Sequence, residues 1–331
     1  MSNHGLYSVE DTAKAIAAGH VLLIAGDEAL LKQLPPGKWI GGTSANFMAP
    51  EGGVTERERL FVTDITSLAG AAEVHAYSID ELPKIASHYP ANGFTVLIVP
   101  GLSPLHEAFA KGVQNYESVF NAPLFGWISG VHVSEIGVRA PLIFVGDGQG
   151  RTDRAAAIHV SLPADQIAKI DIVNLFVQGD GVEIEFPTGS FETVGECLID
   201  GKPGNLAALI GAESIDTRLP LVADYNGAMI NVSLREVDAK AGRVAFYAPV
   251  FEGVKYRFAK PVPSYTDAFG SHLSDGEADK IVLSCNCILN YLYADLEGKR
   301  TGTLLGPITF GEIAYMLLNQ TLVYLSLEKA A

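Results

Sequence analysis

Short apolar runs separated by turn-forming residues make up most of the chain, and segments of helical periodicity lie between several of them. Ser8 precedes apolar residues at helical spacing, which predicts a capped helix over residues 9–19. A buried strand is expected over residues 20–25, a short helix over 28–34, and a second strand from Trp39 onward. The chain therefore opens with a β-α-β arrangement.

The rest of the first half continues this alternation of strands and helices. Helices are predicted over residues 79–88 and 104–116, and no helical pattern separates the strands that lie between residues 123 and 162. Adjacent strands without a helix between them can run antiparallel, so we expect mixed sheets flanked by helices, an α/β (α+β) sandwich. The predicted strands span residues 59–65, 73–77, 95–100, 124–129, 142–145 and 157–162.

The second half predicts more strands and fewer helices. A hairpin is expected from residues 170–178 and 182–186 around Gly179-Asp180-Gly181, because the second of these runs alternates apolar and polar residues. The last helix is predicted over residues 311–319, followed by a closing strand over 322–327. A chain of 331 residues suits two domains, which we place at 1–190 and 191–331.

Charge and cysteine usage narrow the classes of partner. The chain has 23 basic and 38 acidic residues, a net charge of −15, which would repel a nucleic-acid backbone. Its apolar runs are too short to span a bilayer, and the N-terminus lacks the pattern of a signal peptide. The chain has three cysteines, and an odd number does not suit a framework of paired disulfides. We therefore expect reduced thiols and a cytoplasmic protein.

One candidate anion site follows the strand that starts at Trp39. The sequence Gly41-Gly42-Thr43-Ser44 offers backbone amides and two hydroxyls, which could bind a carboxylate or a phosphate. The stretch lacks the lysine and the spacing of a P-loop, so a Gly-rich turn without a ligand is the alternative.

Cys285 and Cys287 alternate along a predicted strand, which places both side chains on one face. The pair could bind a soft metal, but no second Cys pair or His-x-His cluster completes four ligands, and free cysteines are usually buried. A nucleophilic Cys285 with His272 as its base would make the protein a thiol-dependent hydrolase or transferase. The interior histidines are scattered, and a single imidazole could ligate haem.

Polar residues in the apolar C-terminal segments form a second candidate site. Glu312 falls on the first turn of the predicted last helix, where it could accept a ligand ammonium or only complement the helix dipole. Asn319 and Gln320 could hold a ligand's polar head group or cap backbone carbonyls. Arg235, in an apolar strand, should need a carboxylate from the protein or from a ligand.

The order of these motifs over nearly the whole chain resembles the FIST family of sensory domains, in both its N-terminal and C-terminal parts. The chain departs from the family at Cys285-Asn286-Cys287, where members usually have a cysteine followed by glycine and arginine. The motifs that carry the resemblance are Ile40-Gly41-Gly42-Thr43-Ser44-Ala45, Leu124-Phe125-Gly126-Trp127-Ile128-Ser129-Gly130, Ile199-Asp200-Gly201-Lys202-Pro203, Leu219-Pro220-Leu221, Arg235, Glu252-Gly253, Ser284-Cys285, Phe310-Gly311-Glu312-Ile313 and Asn319-Gln320-Thr321-Leu322.

The resemblance implies a sensory protein rather than an enzyme. FIST members are described as sensory modules for small molecules, with amino-acid-like ligands proposed, and some related nitric-oxide sensors bind haem. We therefore expect a small polar metabolite in a cleft and signalling through a separate partner protein, with no catalytic residue and no bound metal. The expected ligand-binding residues are Gly42, Thr43, Ser44, Trp127, Arg235, Cys285, Asn286, Thr309, Glu312, Asn319 and Gln320.

Overall fold

The structure is a computed structural model that describes residues 4–225, 227–270 and 280–330. The helices of these residues are short, and most of them cover the edges or faces of sheets. They are α1 (Val9–Ala17), α2 (Glu28–Leu31), α3 (Pro104–Gly112), α4 (Leu206–Ala212), α5 (Tyr265–Gly270) and α6 (Ile288–Tyr293), with 3₁₀ segments at Leu82–His88, Val113–Asn115, Val119–Asn121 and Val133–Glu135.

Strands make up most of the regular structure, which confirms the mixed α/β class. In chain order they are β1 (His4–Tyr7), β2 (Leu22–Gly26), β3 (Trp39–Thr43), β4 (Asn46–Ala49), β5 (Gly52–Thr55), β6 (Leu60–Asp64), β7 (Ala71–Tyr77), β8 (Gly93–Pro100), β9 (Leu124–Ser129), β10 (Ile143–Phe144), β11 (Ala155–Ser161), β12 (Gln166–Asn174), β13 (Ile184–Glu185), β14 (Ser190–Val194), β15 (Glu196–Ile199), β16 (Lys202–Asn205), β17 (Leu221–Tyr225), β18 (Ala228–Val232), β19 (Leu234–Asp238), β20 (Arg243–Val250), β21 (Lys255–Phe258), β22 (Ile281–Cys287), β23 (Gly306–Thr309), β24 (Glu312–Ala314), β25 (Met316–Leu318) and β26 (Thr321–Lys329).

Three sheets build what we call the main lobe, residues 4–174 and 281–329. Their strand orders are β1-β6-β2-β3-β10, β25-β24-β9-β8-β11-β7 and β12-β26-β22-β23-β4-β5. Each sheet is mixed, because it holds one parallel pair, β2/β3, β8/β9 or β22/β23, among antiparallel neighbours. Apolar residues from all three sheets meet in one core, for example Leu23, Phe125 and Val323.

Two antiparallel sheets build the insert lobe, residues 184–258. Their orders are β16-β15-β13-β21-β17-β18 and β14-β20-β19, and α4 packs with them around Phe246 and Tyr256. The sheets divide the chain differently from the expected boundary at residues 190 and 191. Strands from 281 onward pair with strands of the first half, for example β26 with β12 and β24 with β9.

Local signals in the sequence explain where several elements begin. The Ser8 hydroxyl accepts a hydrogen bond from the backbone N–H of Asp11, so the predicted cap of α1 is confirmed. Ser103 caps α3 in the same way through the N–H of His106, and Pro104 occupies the first turn. The N-terminus of α3 is thereby fixed at the boundary between the lobes.

The predicted helix over residues 311–319 is wrong. These residues form β24 and β25, which pair with each other around Tyr315, a residue with φ of 64°. An apolar run of this length fits a buried strand as well as a buried helix, and pairing of Glu312 with Trp127 on β9 decides the outcome here. Glu312 is therefore a strand residue and complements no helix dipole.

The predicted hairpin over residues 170–186 is also wrong. Residues Gln166–Asn174 pair along their whole length with β26, and Ile184–Glu185 pair with β15 and β21 in the other lobe. The Gly179-Asp180-Gly181 turn thus lies in the connection between lobes. Long-range pairing of this kind leaves no local trace in the sequence. His272, proposed as a base for Cys285, lies outside the described residues.

Candidate functional site

A cavity of about 500 Å³ lies between the two lobes, and we call it the interlobe cavity. The main lobe contributes the start of α3 and the loop before β24, whereas the insert lobe contributes β14, β19 and β20. Its wall is half apolar and half polar in character. The lining residues are Leu102, Ser103, Pro104, His106, Glu107, Ser190, Phe191, Glu192, Arg235, Phe246, Tyr247 and Phe310.

His106 supplies a neutral hydrogen-bond donor in the wall of the interlobe cavity. Its ring is 7% exposed, and its Nδ1 accepts the backbone N–H of Leu102 at 3.2 Å. Burial lowers the pKa of His106 to about 4, so the imidazole is neutral at neutral pH. With Nδ1 accepting, the proton must sit on Nε2, and Nε2 contacts no hydrogen-bond partner among the described residues.

Arg235 supplies the positive charge of the interlobe cavity. It is exposed on β19, and within the described part of the chain it forms no ion pair, unlike the acidic residues of the same wall. Glu107 pairs with Lys111 at 2.6 Å, and Glu192 lies 3.5 Å from Arg243. Among the described residues, none supplies the carboxylate partner that the sequence led us to expect for Arg235, and water can solvate its exposed guanidinium.

A second group of polar residues is buried where β18 and β26 meet, and we call it the Glu312 cluster. Glu312 is fully buried, and its Oε2 accepts the hydroxyl of Thr321 at 2.7 Å. Burial raises the pKa of Glu312 well above its usual range. Its other members, all buried, are Asn231, Ser233, Cys285, Asn286, Cys287, Asn290, Asn319, Gln320 and Thr321.

Hydrogen bonds tie the Glu312 cluster together and join the two lobes. Asn319 Oδ1 accepts the backbone N–H and the hydroxyl of Ser233 at 2.9 and 2.6 Å. Asn231 Nδ2 donates to the carbonyl oxygens of Asn319 and Gln320 at 3.2 and 3.3 Å. Gln320 Nε2 donates to the carbonyl of Arg218. The predicted residues Glu312, Asn319 and Gln320 thus lie in one buried cluster, where their partners are other protein groups, and Glu312 Oε1 and Asn319 Nδ2 have no partner among the described residues.

The cysteines belong to this interior. Cys285 and Cys287 are free and buried, as expected of unpaired cysteines, and the thiol of Cys285 donates to the carbonyl of Gly126 at 3.3 Å. Burial and the nearby Glu312 raise the pKa of both thiols well above the usual range. A nucleophilic cysteine needs an accessible thiolate, so this geometry does not favour the thiol enzyme.

The candidate anion site after Trp39 has its polar groups already engaged. Gly42 and Thr43 lie within β3 rather than in a turn. The backbone N–H of Thr43 donates to Leu142 and that of Ser44 donates to Gly26, at 2.9 and 3.1 Å. The Ser44 hydroxyl donates to the carbonyl of Ile308 at 2.7 Å. These groups join β3, β10 and β23 and leave little for a ligand.

Trp127, Asn286 and Thr309 also lie in the interior of the main lobe. Trp127 is the strand partner of Glu312, and Thr309 is the partner of Cys287. The Thr309 hydroxyl donates to the carbonyl of Gly311 at 3.0 Å, and Asn286 accepts the side-chain amide of Asn290 at 2.9 Å. Of the residues predicted from sequence, only Arg235 lines the interlobe cavity. His106 was missed, and its position behind the Ser103-Pro104 cap was the one available signal.

Three histidines that looked scattered in the sequence meet on the face of β7 and β11. The rings of His75 and His88 are 4.4 Å apart between centroids, and those of His75 and His159 are 5.1 Å apart. The Tyr77 hydroxyl is bonded to His88 Nδ1 at 3.0 Å and to His159 Nε2 at 2.8 Å. Across residues 4–225, 227–270 and 280–330, no group of three or more His, Cys, Asp or Glu side chains is arranged to hold a metal ion.

Comparison with known proteins gives a family but no activity. The model of the Family of unknown function (DUF6976) matches residues 7–328. No curated protein and no solved structure matches the chain. The resemblance to FIST sensory domains stays a prediction that this match does not test. Among the described residues, no helix combines the length and the apolar character needed to cross a membrane.

Proposed function

The chain belongs to the DUF6976 family, and we propose that it is a binding protein for a small carboxylate-bearing metabolite held in the interlobe cavity. The observation that carries the proposal is the pair of donors in the cavity wall. Arg235 has no ion pair in the described part of the chain, and the Nε2–H of buried His106 has no protein acceptor there. Both donors suit a carboxylate, because the Arg235 guanidinium can pair with it and an ionised acceptor would satisfy the otherwise unpaired N–H of buried His106.

The remaining wall favours an amino-acid-like ligand with an apolar part. Phe191, Tyr247 and Phe310 offer aromatic surface, and an ammonium group could exchange with Lys111 or Arg243 for the carboxylates of Glu107 and Glu192, which also line the cavity. Burial raises the pKa of the Tyr247 phenol, so its hydroxyl stays protonated and can also donate. The volume of about 500 Å³ accommodates a molecule of this size.

Binding would hold the two lobes together, because the lining comes from both. A ligand that contacts His106 on one lobe and Arg235 on the other stabilises the lobe arrangement that it bridges. We therefore propose that a separate partner protein reads this arrangement, and that the protein acts in the cytoplasm as a sensor. The proposal assigns the chain no catalytic residue.

A thermal-shift screen of amino acids and small carboxylic acids tests the proposal directly. A ligand at about 100 times its Kd should stabilise the folded chain by about 2.7 kcal/mol, which is a clear rise in Tm. Arg235→Ala should weaken the binding of any hit by about 10- to 100-fold in isothermal titration. His106→Phe should weaken binding as well, because it removes the donor and keeps the ring.

Arg218→Ala is the matched control, since it removes the same charge at an exposed arginine that pairs with Asp216 outside the cavity. A hit whose affinity falls equally in Arg218→Ala and Arg235→Ala would show a general charge effect and contradict the assigned cavity. Haem belongs in the same titration. A Soret band that is lost in His106→Phe would replace the carboxylate ligand with the haem-sensing alternative.

A further inference from the structure

The junction between β25 and β26 holds one backbone unit in an unusual conformation. Gln320 has φ of 51°, in the left-handed region that residues other than glycine rarely adopt. Its side chain is held at both ends, because Nε2 donates to the Arg218 carbonyl at 3.0 Å and Oε1 lies 2.5 Å from the Ser233 hydroxyl oxygen, whose single proton it shares with Asn319 Oδ1. The conformation of the Gln320–Thr321 peptide is therefore fixed by its surroundings.

One carboxylate oxygen contacts both the hydroxyl and the backbone nitrogen of Thr321. Glu312 Oε2 accepts the Thr321 hydroxyl at 2.7 Å and lies 3.4 Å from the Thr321 backbone nitrogen. On the other side, one N–H of the Asn231 amide donates to Asn174 Oδ1 at 3.0 Å, and the other is shared between the carbonyl oxygens of Asn319 and Gln320 at 3.2 and 3.3 Å. A base, a hydroxyl nucleophile, a leaving nitrogen and a donor on the carbonyl oxygen are thus arranged around a single peptide bond, and none of these groups lines the interlobe cavity.

We propose that Gln320–Thr321 is a site of intramolecular acyl transfer, with Thr321 as the nucleophile and Glu312 as the base. Glu312 takes the proton of Thr321 Oγ1, and Oγ1 bonds to the Gln320 carbonyl carbon through a five-membered ring. The negative charge on the Gln320 oxygen is stabilised by the Asn231 amide. The C–N bond then breaks, the proton held by Glu312 passes to the Thr321 nitrogen, and an ester with a free amine remains.

Water completes the reaction by hydrolysing this ester. It adds to the Gln320 carbonyl carbon and restores the Thr321 hydroxyl, leaving a carboxylate at the end of residues 1–320 and a free amine at the start of residues 321–331. No atom is oxidised or reduced, and water is the one co-reactant. The products are two chains whose masses sum to that of the intact chain plus one water.

The alternative is a structural role, in which the Thr321 hydroxyl only supplies a hydrogen bond to the buried Glu312 carboxyl. The contact of Glu312 Oε2 with the Thr321 nitrogen fits both roles, whereas a hydroxyl that only satisfied Glu312 would not require a donor on the Gln320 carbonyl. Left-handed backbone at Gln320 adds about 1 kcal/mol of strain that cleavage would release. Together these contacts point to chemistry at the bond.

To test the proposal, the purified, folded full chain is incubated at about pH 9 with and without hydroxylamine. The products are then identified by mass spectrometry under denaturing conditions. Burial raises the pKa of Glu312, so an ionised base and a faster reaction are expected as the pH rises. We expect masses for residues 1–320 and 321–331, and a hydroxamate at Gln320 when hydroxylamine traps the ester. Hydroxylamine also attacks the Asn92-Gly93 and Asn226-Gly227 bonds, whose different fragment masses show that the reagent is active.

Three variants separate the proposed roles. Thr321→Ser should keep the cleavage, Thr321→Val should abolish it, and Glu312→Gln should slow it by about 100-fold or more. An intact wild-type chain without the Gln320 hydroxamate, while the Asn-Gly fragments appear, would overturn the proposal, as would the same cleavage in Thr321→Val. Should Thr321→Val fail to fold, the hydroxamate in the wild-type chain decides alone. Either result leaves the ligand proposal for the interlobe cavity unaffected.

Discussion

The insert lobe meets the main lobe at two polar contacts that differ in how their groups are paired. In the Glu312 cluster, Ser233 and Asn231 reach across to Asn319 and Gln320 with short hydrogen bonds, and every residue is buried. In the interlobe cavity, Arg235 forms no ion pair among the described residues, and His106 accepts the Leu102 N–H at Nδ1 but leaves its buried Nε2 without an acceptor there. The first contact should hold the lobes together, and the second should recognise a ligand.

The Glu312 cluster should lose the most stability when one of its acceptors is removed. Asn319→Ala leaves the backbone N–H of buried Ser233 without its acceptor and opens a small void, so we expect a loss of about 4 kcal/mol in the free energy of unfolding. Denaturant titration measures it. Asn115→Ala, an exposed asparagine at the end of a 3₁₀ segment, is the control and should change stability by less than about 0.5 kcal/mol. If Asn319→Ala and Asn115→Ala changed stability equally, the Glu312 cluster would not hold the lobes together as described above.

Buried His106 in the wall of the interlobe cavity should make the folded chain less stable in acid. The pKa of His106 is about 4 in the folded chain and 6.5 in the unfolded reference, so the unfolded state binds more protons between these values. The contribution of neutral His106 to the free energy of unfolding is therefore fully present above about pH 6.5. As the pH drops to 4 and below, the free energy of unfolding falls by about 3 kcal/mol.

His106→Gln should flatten this part of the stability curve. The pKa of His159 is also lowered, to about 3, so a second slope remains in the variant, and the difference between the two curves isolates His106. Parallel curves for wild type and variant between pH 6.5 and 4 would mean that His106 is not the buried neutral donor described here.

The sequence predicted the strands better than their partners. Residues 95–100 and 124–129 were placed correctly because continuous apolar runs next to turn residues are a strong strand signal, and the Ser8 cap was a local feature. The pairing of Gln166–Asn174 with Thr321–Lys329 depends on residues about 150 positions apart and has no local signature. The same limit explains the sites. Most of the polar residues that the sequence singled out prove to be buried in the interior, where Glu312, Asn319 and Asn286 each keep one side-chain atom unpaired among the described residues. The sequence could not show that His106 and Arg235 line the same cavity.

Gly42 tests how tightly the interior beside the Glu312 cluster is packed. A Cβ added there would lie 2.8 Å from Ile98 Cγ2, 3.1 Å from Ser129 Cβ and 3.2 Å from Trp127 Nε1. Gly42→Ala should therefore cost about 2 kcal/mol by overpacking. Gly211→Ala is the matched control, because it lies in α4 with no atom within 4 Å of its added Cβ and should stabilise by about 0.5 to 1 kcal/mol. A neutral Gly42→Ala would show that this interior is loose enough to admit a ligand.

Arg235→Ala should have a small effect on stability, although it should have a large effect on ligand binding. An exposed arginine without an ion pair stabilises the fold little, so Arg235→Ala should change the free energy of unfolding by less than about 0.5 kcal/mol. Arg139→Ala provides the contrast, because Arg139 bridges Asp27, Glu28 and Glu135 at 3.0 to 3.3 Å and its loss should cost about 1 kcal/mol or more. Chemical denaturation of both variants without ligand measures the difference. A large loss in Arg235→Ala would mean that the guanidinium stabilises the lobe interface itself, and its freedom to bind a carboxylate would no longer follow from the structure.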